Sequence, residues 1–116
     1  MTLPEEATLL RIHLGESDRV HGKPTYEAIV LLAREMHLAG ATVLRGSMGF
    51  GKNSRLHTAK VLRLSGDLPI VVEIVDAEEK IRDFLPRLEA IIGAGLVTLE
   101  RVRVLRYNGD ADEKEG

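Results

Sequence analysis

From Thr8 to Leu14 the chain alternates strictly, with Leu10, Ile12 and Leu14 on one side and Leu9, Arg11 and His13 on the other. Alternation of this length is the mark of a β-strand with one fully buried face. Gly15 to Lys23 is polar and reads as a connection. Pro24 suits the first position of a helix, where its missing N–H is not needed. Tyr26, Ile29, Val30, Ala33 and Met36 then recur at helical spacing, and Gly40 is suited to close that helix in a left-handed conformation. Thr42 to Arg45 begins with two β-branched residues and reads as a second strand, which runs into a glycine-rich segment.

Ser54 to Ser65 has neither a clear helical stripe nor a sustained alternation, and its structure stays open at this point. Pro69 to Val75 is the clearest strand, with Ile70, Val72 and Ile74 on one face and Val71, Glu73 and Val75 on the other. Asp76 is expected to cap the helix that follows, whose first turn carries Glu78 and Glu79 as the helix dipole favours. Ile81, Phe84, Leu85, Leu88, Ile91 and Ile92 form its apolar stripe, Pro86 inside it predicts a kink, and Gly93 and Gly95 end it. Val97 to Tyr107 reads as a last strand. Its apolar parity slips from Val97 and Leu99 to Val102 and Val104, which predicts a bulge near Glu100.

The order strand, helix, strand, strand, helix, strand predicts an α+β ferredoxin-like sandwich (βαββαβ). Right-handed crossovers interleave the two halves into one antiparallel four-stranded sheet with both helices on a single face. The expected single domain spans residues 1–107, and the tail 108–116, acidic and without large apolar residues, is expected to be disordered. Two helices cover one face only, yet Leu9, Val71 and Val75 point to the other. At about 25 cal/mol per Å² of apolar surface removed from water, that face favours a subunit partner, and oligomerisation through the sheet is expected.

Composition narrows the function classes. The chain has 116 residues, 44% hydrophobic and 29% charged, with no Cys, which excludes disulfides and thiolate chemistry and is compatible with a reducing cytoplasm. The first residues have neither the basic nor the apolar region of a signal peptide, and no apolar run approaches a membrane span, so direct membrane insertion is not expected.

Charge changes the picture more. The formal net charge is −2, yet Met36 to Gly66 contains no Asp or Glu and carries Arg45, Lys52, Arg55, Lys60 and Arg63. In its middle lies Gly46-Ser47-Met48-Gly49-Phe50-Gly51-Lys52. Glycines let bare backbone N–H groups approach an anion, while Lys and Arg add charge and forked donors, so a phosphate group is the candidate visitor. A solvated loop is the alternative. Gly46-x4-Gly51-Lys52-Asn53 nearly matches a P-loop, but Asn53 stands where a hydroxyl should hold Mg²⁺ and no strong helix follows, which argues against nucleotide hydrolysis. His13, His21, His37 and His57 have no metal-ligand spacing, and Glu73, alone on an apolar strand, is expected to face a Lys or Arg across the sheet or a subunit boundary. RNA-binding domains of this fold stack bases on aromatics of their central strands, which are absent here, so nucleic acid is not an expected partner.

The words GATVLRGSMGFGK and LPIVVEIVD, with His57-Thr58 between them, resemble the PII nitrogen-regulatory signalling proteins, and more closely their PII-like relatives in a domain-of-unknown-function family. The likeness covers about residues 7–107. It implies a ferredoxin-like subunit, a homotrimer with its sheets facing inward, and an adenine nucleotide (ATP, ADP or AMP) or another effector in clefts between subunits. It also implies signalling, through the loop after the second strand, to a membrane transporter, a channel protein or an enzyme. Carried over residue by residue, the implied ligand-binding set is Thr42, Gly49, Phe50, Gly51, Lys52 and, as the nearest match to a phosphate-binding basic residue of the last strand, Arg101. The chain departs from the PII pattern in having Thr98-Leu99-Glu100 where PII has a glycine-rich turn, and in its short signalling loop. The expectation is therefore a non-enzymatic cytoplasmic regulator. The alternatives are a small enzyme with an intersubunit active site and a structural accessory subunit that binds no effector.

Overall fold

The computed structural model describes residues 3–50, 57–58 and 67–107. Among these residues the order is β1 (Glu6–Gly15), β2 (Arg19–Val20), β3 (Lys23–Pro24), α1 (Thr25–Glu35), β4 (Thr42–Arg45), β5 (Met48–Gly49), β6 (His57–Thr58), β7 (Pro69–Asp76), α2 (Glu78–Glu89) and β8 (Leu96–Arg103). The expected acidic tail, Gly51, Lys52 and most of the stretch 54–65 lie outside the described residues.

β4, β7, β1 and β8 form the predicted antiparallel sheet in that order, with β7 and β1 central. β7 alternates without exception between buried and half-buried residues, so the period read from the sequence is the period of burial. Leu10, Ile12, Ile70, Val72 and Ile74 of the sheet meet Ile29 and Ala33 of α1 and Ile81, Phe84 and Leu88 of α2 in one core. Both helices therefore lie on one face. The other face presents Leu9, Arg11, Val71, Glu73 and Val75, all half-buried, beside exposed Leu44 and Leu96.

Four local expectations are corrected. Pro24 precedes the first helical residue, as the N-cap of α1. That helix closes at His37 rather than Gly40: His37 takes φ +61, its N–H donates to Arg34 O (3.1 Å), and Leu38 N–H donates to Ala33 O (3.0 Å). These bonds make a Schellman closure, in which the residue after the left-handed one packs back on the helix. Leu38 and Ala33 both belong to the core, so burial of Leu38 selects the earlier end. Asp76 does not cap α2, whose N-cap is Ala77 without a side-chain bond. Asp76 instead ends β7, 2% exposed, with Oδ2 accepting from Ala39 N–H (2.8 Å) and Oδ1 from Ala77 N–H (2.6 Å).

The fourth correction concerns the last strand. β8 pairs with β1 in unbroken register, from Glu6 opposite Arg103 to His13 opposite Leu96, so there is no bulge at Glu100. The helix-facing side of β8 runs Val97, Leu99, Arg101, Arg103, and its two arginines reach Glu6 (3.7 Å) and Glu5 (3.1 Å) rather than the core. The apolar parity slips because the helices stop covering the strand, not because the backbone does. Within the polar connection 15–23 a small hairpin also appears: β2 and β3 are joined by His21 (φ +50) and Gly22 (φ +81), the two left-handed residues of a tight turn.

Candidate functional site

The glycine-rich segment starts where β4 ends. Gly46 N–H donates to Pro69 O (2.7 Å), which extends the β4–β7 ladder by one step. A Cβ on Gly46 would stand 2.9 Å from Pro69 Cγ, and one on Gly49 would stand 3.1 Å from the same atom. The close approach of the chain to the Pro69 ring thus leaves no room for a Cβ at Gly46 and little at Gly49. β5 then pairs with β6, Met48 opposite Thr58 and Gly49 opposite His57, so the segment leaves the sheet as a two-stranded ribbon. Phe50, 67% exposed, sits at its end.

The base of this ribbon is tied to the turn after β1. Arg45 Nε donates to Oε2 of Glu16 (3.0 Å) and its Nη2 lies 2.8 Å from the same oxygen, while Glu16 N–H donates to Leu68 O (2.8 Å) and Ser17 N–H to Asp67 Oδ1 (2.9 Å). Residues 15–18, 45–49 and 67–69 thereby form a collar. The sequence pointed to Arg45 as one cation of the acid-free run. Its partner is 29 positions away and carries no local signal.

The proposed ligand residues are not all neighbours. Thr42 is exposed on β4 and stands opposite Glu73, on the face away from the helices. Arg101 stands opposite Thr8, on the helix side of β8, and lines an open groove of about 470 Å³ together with Arg82, Leu85 and Leu99. β4 and β8 are the two edges of the sheet, with β7 and β1 between them. At about 4.8 Å per strand the edges lie roughly 14 Å apart. Thr42, Gly49 and Phe50 share one edge, and Arg101 lies on the other edge and the other face. Gly51 and Lys52 are outside the described residues. On the open face Glu73 accepts from Arg11 Nε (2.9 Å), so the expected cationic partner across the sheet is there, and Arg11 also approaches Glu100 (3.8 Å).

The family model of the domain of unknown function DUF190, described as "Uncharacterized ACR", matches residues 7–104. The chain belongs to that family. The DUF190 chain is 43% identical over 97 residues to a UPF0166 protein of Aquifex aeolicus, covering 84% of this chain and 91% of that one. It is 35% identical over 109 residues to a UPF0166 protein of Methanocaldococcus jannaschii, covering 93% and 98%. Among solved structures it is similar to CPII, a nitrogen regulatory PII-like protein from Thiomonas intermedia K12 bound to ADP, AMP and bicarbonate. The TM-score is 0.60 at 20% identity, over 87% of this chain and 90% of that one. CPII bound to ADP and bicarbonate gives 0.59 over the same shares. At that identity the likeness establishes the fold, and the DUF190 chain has the PII-like ferredoxin-type architecture expected for it. No helix among its described residues is long and apolar enough to cross a membrane.

Proposed function

We propose that this protein is a non-enzymatic cytoplasmic regulator. It assembles as a homotrimer through its open sheet face, binds an adenine nucleotide between subunits and signals to a protein partner such as a membrane transporter or channel. The reading is carried by the shared fold with CPII, a PII-like protein solved with ADP, AMP and bicarbonate. Two features of this chain support it. Leu9, Val71 and Val75 are half-buried and Leu44 and Leu96 exposed on a face that no helix covers, a surface suited to a second copy. Thr42 and Arg101 occupy opposite edges, so a site that uses both closes only between chains.

In this site the backbone of Gly49 and Gly51 supplies N–H donors, Lys52 a point charge, and Arg101 of a neighbouring subunit a second cation. Light scattering should give three chains per particle, and calorimetry should show ADP, AMP or ATP binding without turnover. Lys52→Ala should cost about 1.5–3 kcal/mol of binding, the scale of a hydrogen bond to a charged group. Gly51→Val should weaken binding by blocking backbone approach while the trimer persists. A nucleotide that binds the parent and both variants equally places the site elsewhere. A stable monomer that binds none of the three refutes the reading.

A further inference from the structure

We infer that Arg45 is an additional binding residue for a diphosphate group, held in reserve by Glu16. The inference rests on the effector-binding reading above and adds a residue and a regulatory contact that the resemblance did not supply.

The contact itself carries the argument. Arg45 Nε donates to Glu16 Oε2 at 3.0 Å, and Arg45 Nη2 lies 2.8 Å from that same oxygen. A guanidinium is matched best when its two parallel N–H groups meet two oxygens, as a phosphate offers them. The Arg45 side chain is 49% exposed and that of Glu16 27%, so water screens the pair and exchanging it costs little. The Glu16 arrangement is therefore a holding contact that a doubly charged phosphate group can displace.

The surroundings make displacement informative. Arg45 is the last residue of β4 and adjoins Gly46, in the acid-free run Met36 to Gly66. Glu16 cannot follow it, because the backbone of its turn is fastened separately: Glu16 N–H to Leu68 O and Ser17 N–H to Asp67 Oδ1. When Arg45 turns to an anion, the Glu16 turn stays at the base of the ribbon, held by its own backbone bonds. A diphosphate, with paired oxygens for the guanidinium, competes with Glu16 for Arg45 better than chloride does, so Glu16 sets a threshold through its hold on Arg45. Occupancy also removes the side-chain tie between β4 and the turn after β1 while the backbone bonds of that turn remain.

The test uses ADP and inorganic pyrophosphate as separate probes in calorimetry, on the full chain at fixed ionic strength. Arg45→Ala should weaken both by about tenfold or more, as loss of a charge-assisted contact does. Glu16→Gln should strengthen both by about two- to fivefold, the yield of releasing an exposed ion pair. Glu16→Gln added to Arg45→Ala should change nothing further. Melting temperatures of the single variants should stay near the parent's, because the pair is exposed. If ADP binds and Lys52→Ala weakens it while Arg45→Ala and Glu16→Gln do not, the inference is overturned and the effector reading stands. A Glu16→Gln gain that persists without Arg45 also overturns it, because the effect is then general electrostatics. Arg45-dependent binding of pyrophosphate with no tighter binding of ADP keeps the inference and removes the adenine nucleotide. Binding of neither probe to the parent overturns both.

Discussion

Gly46→Ala tests whether the first glycines of the run serve packing or ligand approach. Its new Cβ would stand 2.9 Å from Pro69 Cγ, whereas an ordinary van der Waals contact begins near 3.4 Å. About half an ångström must be found. Little of the backbone can yield, because Gly46 N–H and Pro69 O are held at 2.7 Å in the β4–β7 ladder. Overpacking of this kind costs about 1–3 kcal/mol, or roughly 4 °C of melting temperature per kcal/mol for a chain of this length. Gly49→Ala, at 3.1 Å from the same atom, should cost less. The decisive measurement is a double-mutant cycle in thermal or urea unfolding, at one protein concentration so that any assembly contributes equally. In a Pro69→Ala background the ring atom is gone, and the penalty of Gly46→Ala should fall below about 0.5 kcal/mol, the limit for sites that do not interact. An unchanged penalty in that background would refute the packing argument and return Gly46 to the candidate anion cradle.

Two further outcomes follow from the fold. His37→Gly should stabilise the protein by about 0.5–1 kcal/mol in urea unfolding, because φ +61 strains a residue with a Cβ and costs glycine nothing, and the exposed His37 side chain loses little burial. Phe84→Ala should cost about 3–5 kcal/mol, since Phe84 is fully buried between α2 and the sheet; a loss under 1 kcal/mol would mean that this core does not hold the two layers together.

The fold was legible because two periods carry most of it. The alternation of β1 and β7 and the stripes of α1 and α2 each describe a face that packs on the core, and there pattern and structure agree, except that Ile91 and Ile92 fall beyond the end of α2. Errors fall where burial stops or where a distant residue decides. In β8 the pattern extends beyond the helices' cover, so Arg101 and Arg103 take helix-side positions and an edge strand in perfect register looks broken. At the end of α1 a favourable glycine at position 40 loses to the burial of Leu38, which puts His37 into the left-handed turn. Local propensity is a weak preference beside a core contact.

The candidate site was less legible for a related reason. A glycine-rich run beside lysine and arginine has two physical explanations, close approach of a ligand and close approach of the protein's own chain, and they leave the same mark in a sequence. Pro69 supplies the second explanation for Gly46 and Gly49, so those glycines no longer argue for a phosphate by themselves. What remains is the segregation of charge, and one described member of it, Arg45, has its charge answered from outside the run by Glu16. An acid brought to the collar from another part of the fold is consistent with a cation site that must stay folded and soluble when empty. What still points to an anion is then the guanidinium of Arg45 rather than backbone N–H groups, because two of its nitrogens crowd one carboxylate oxygen of Glu16 where a phosphate would offer two.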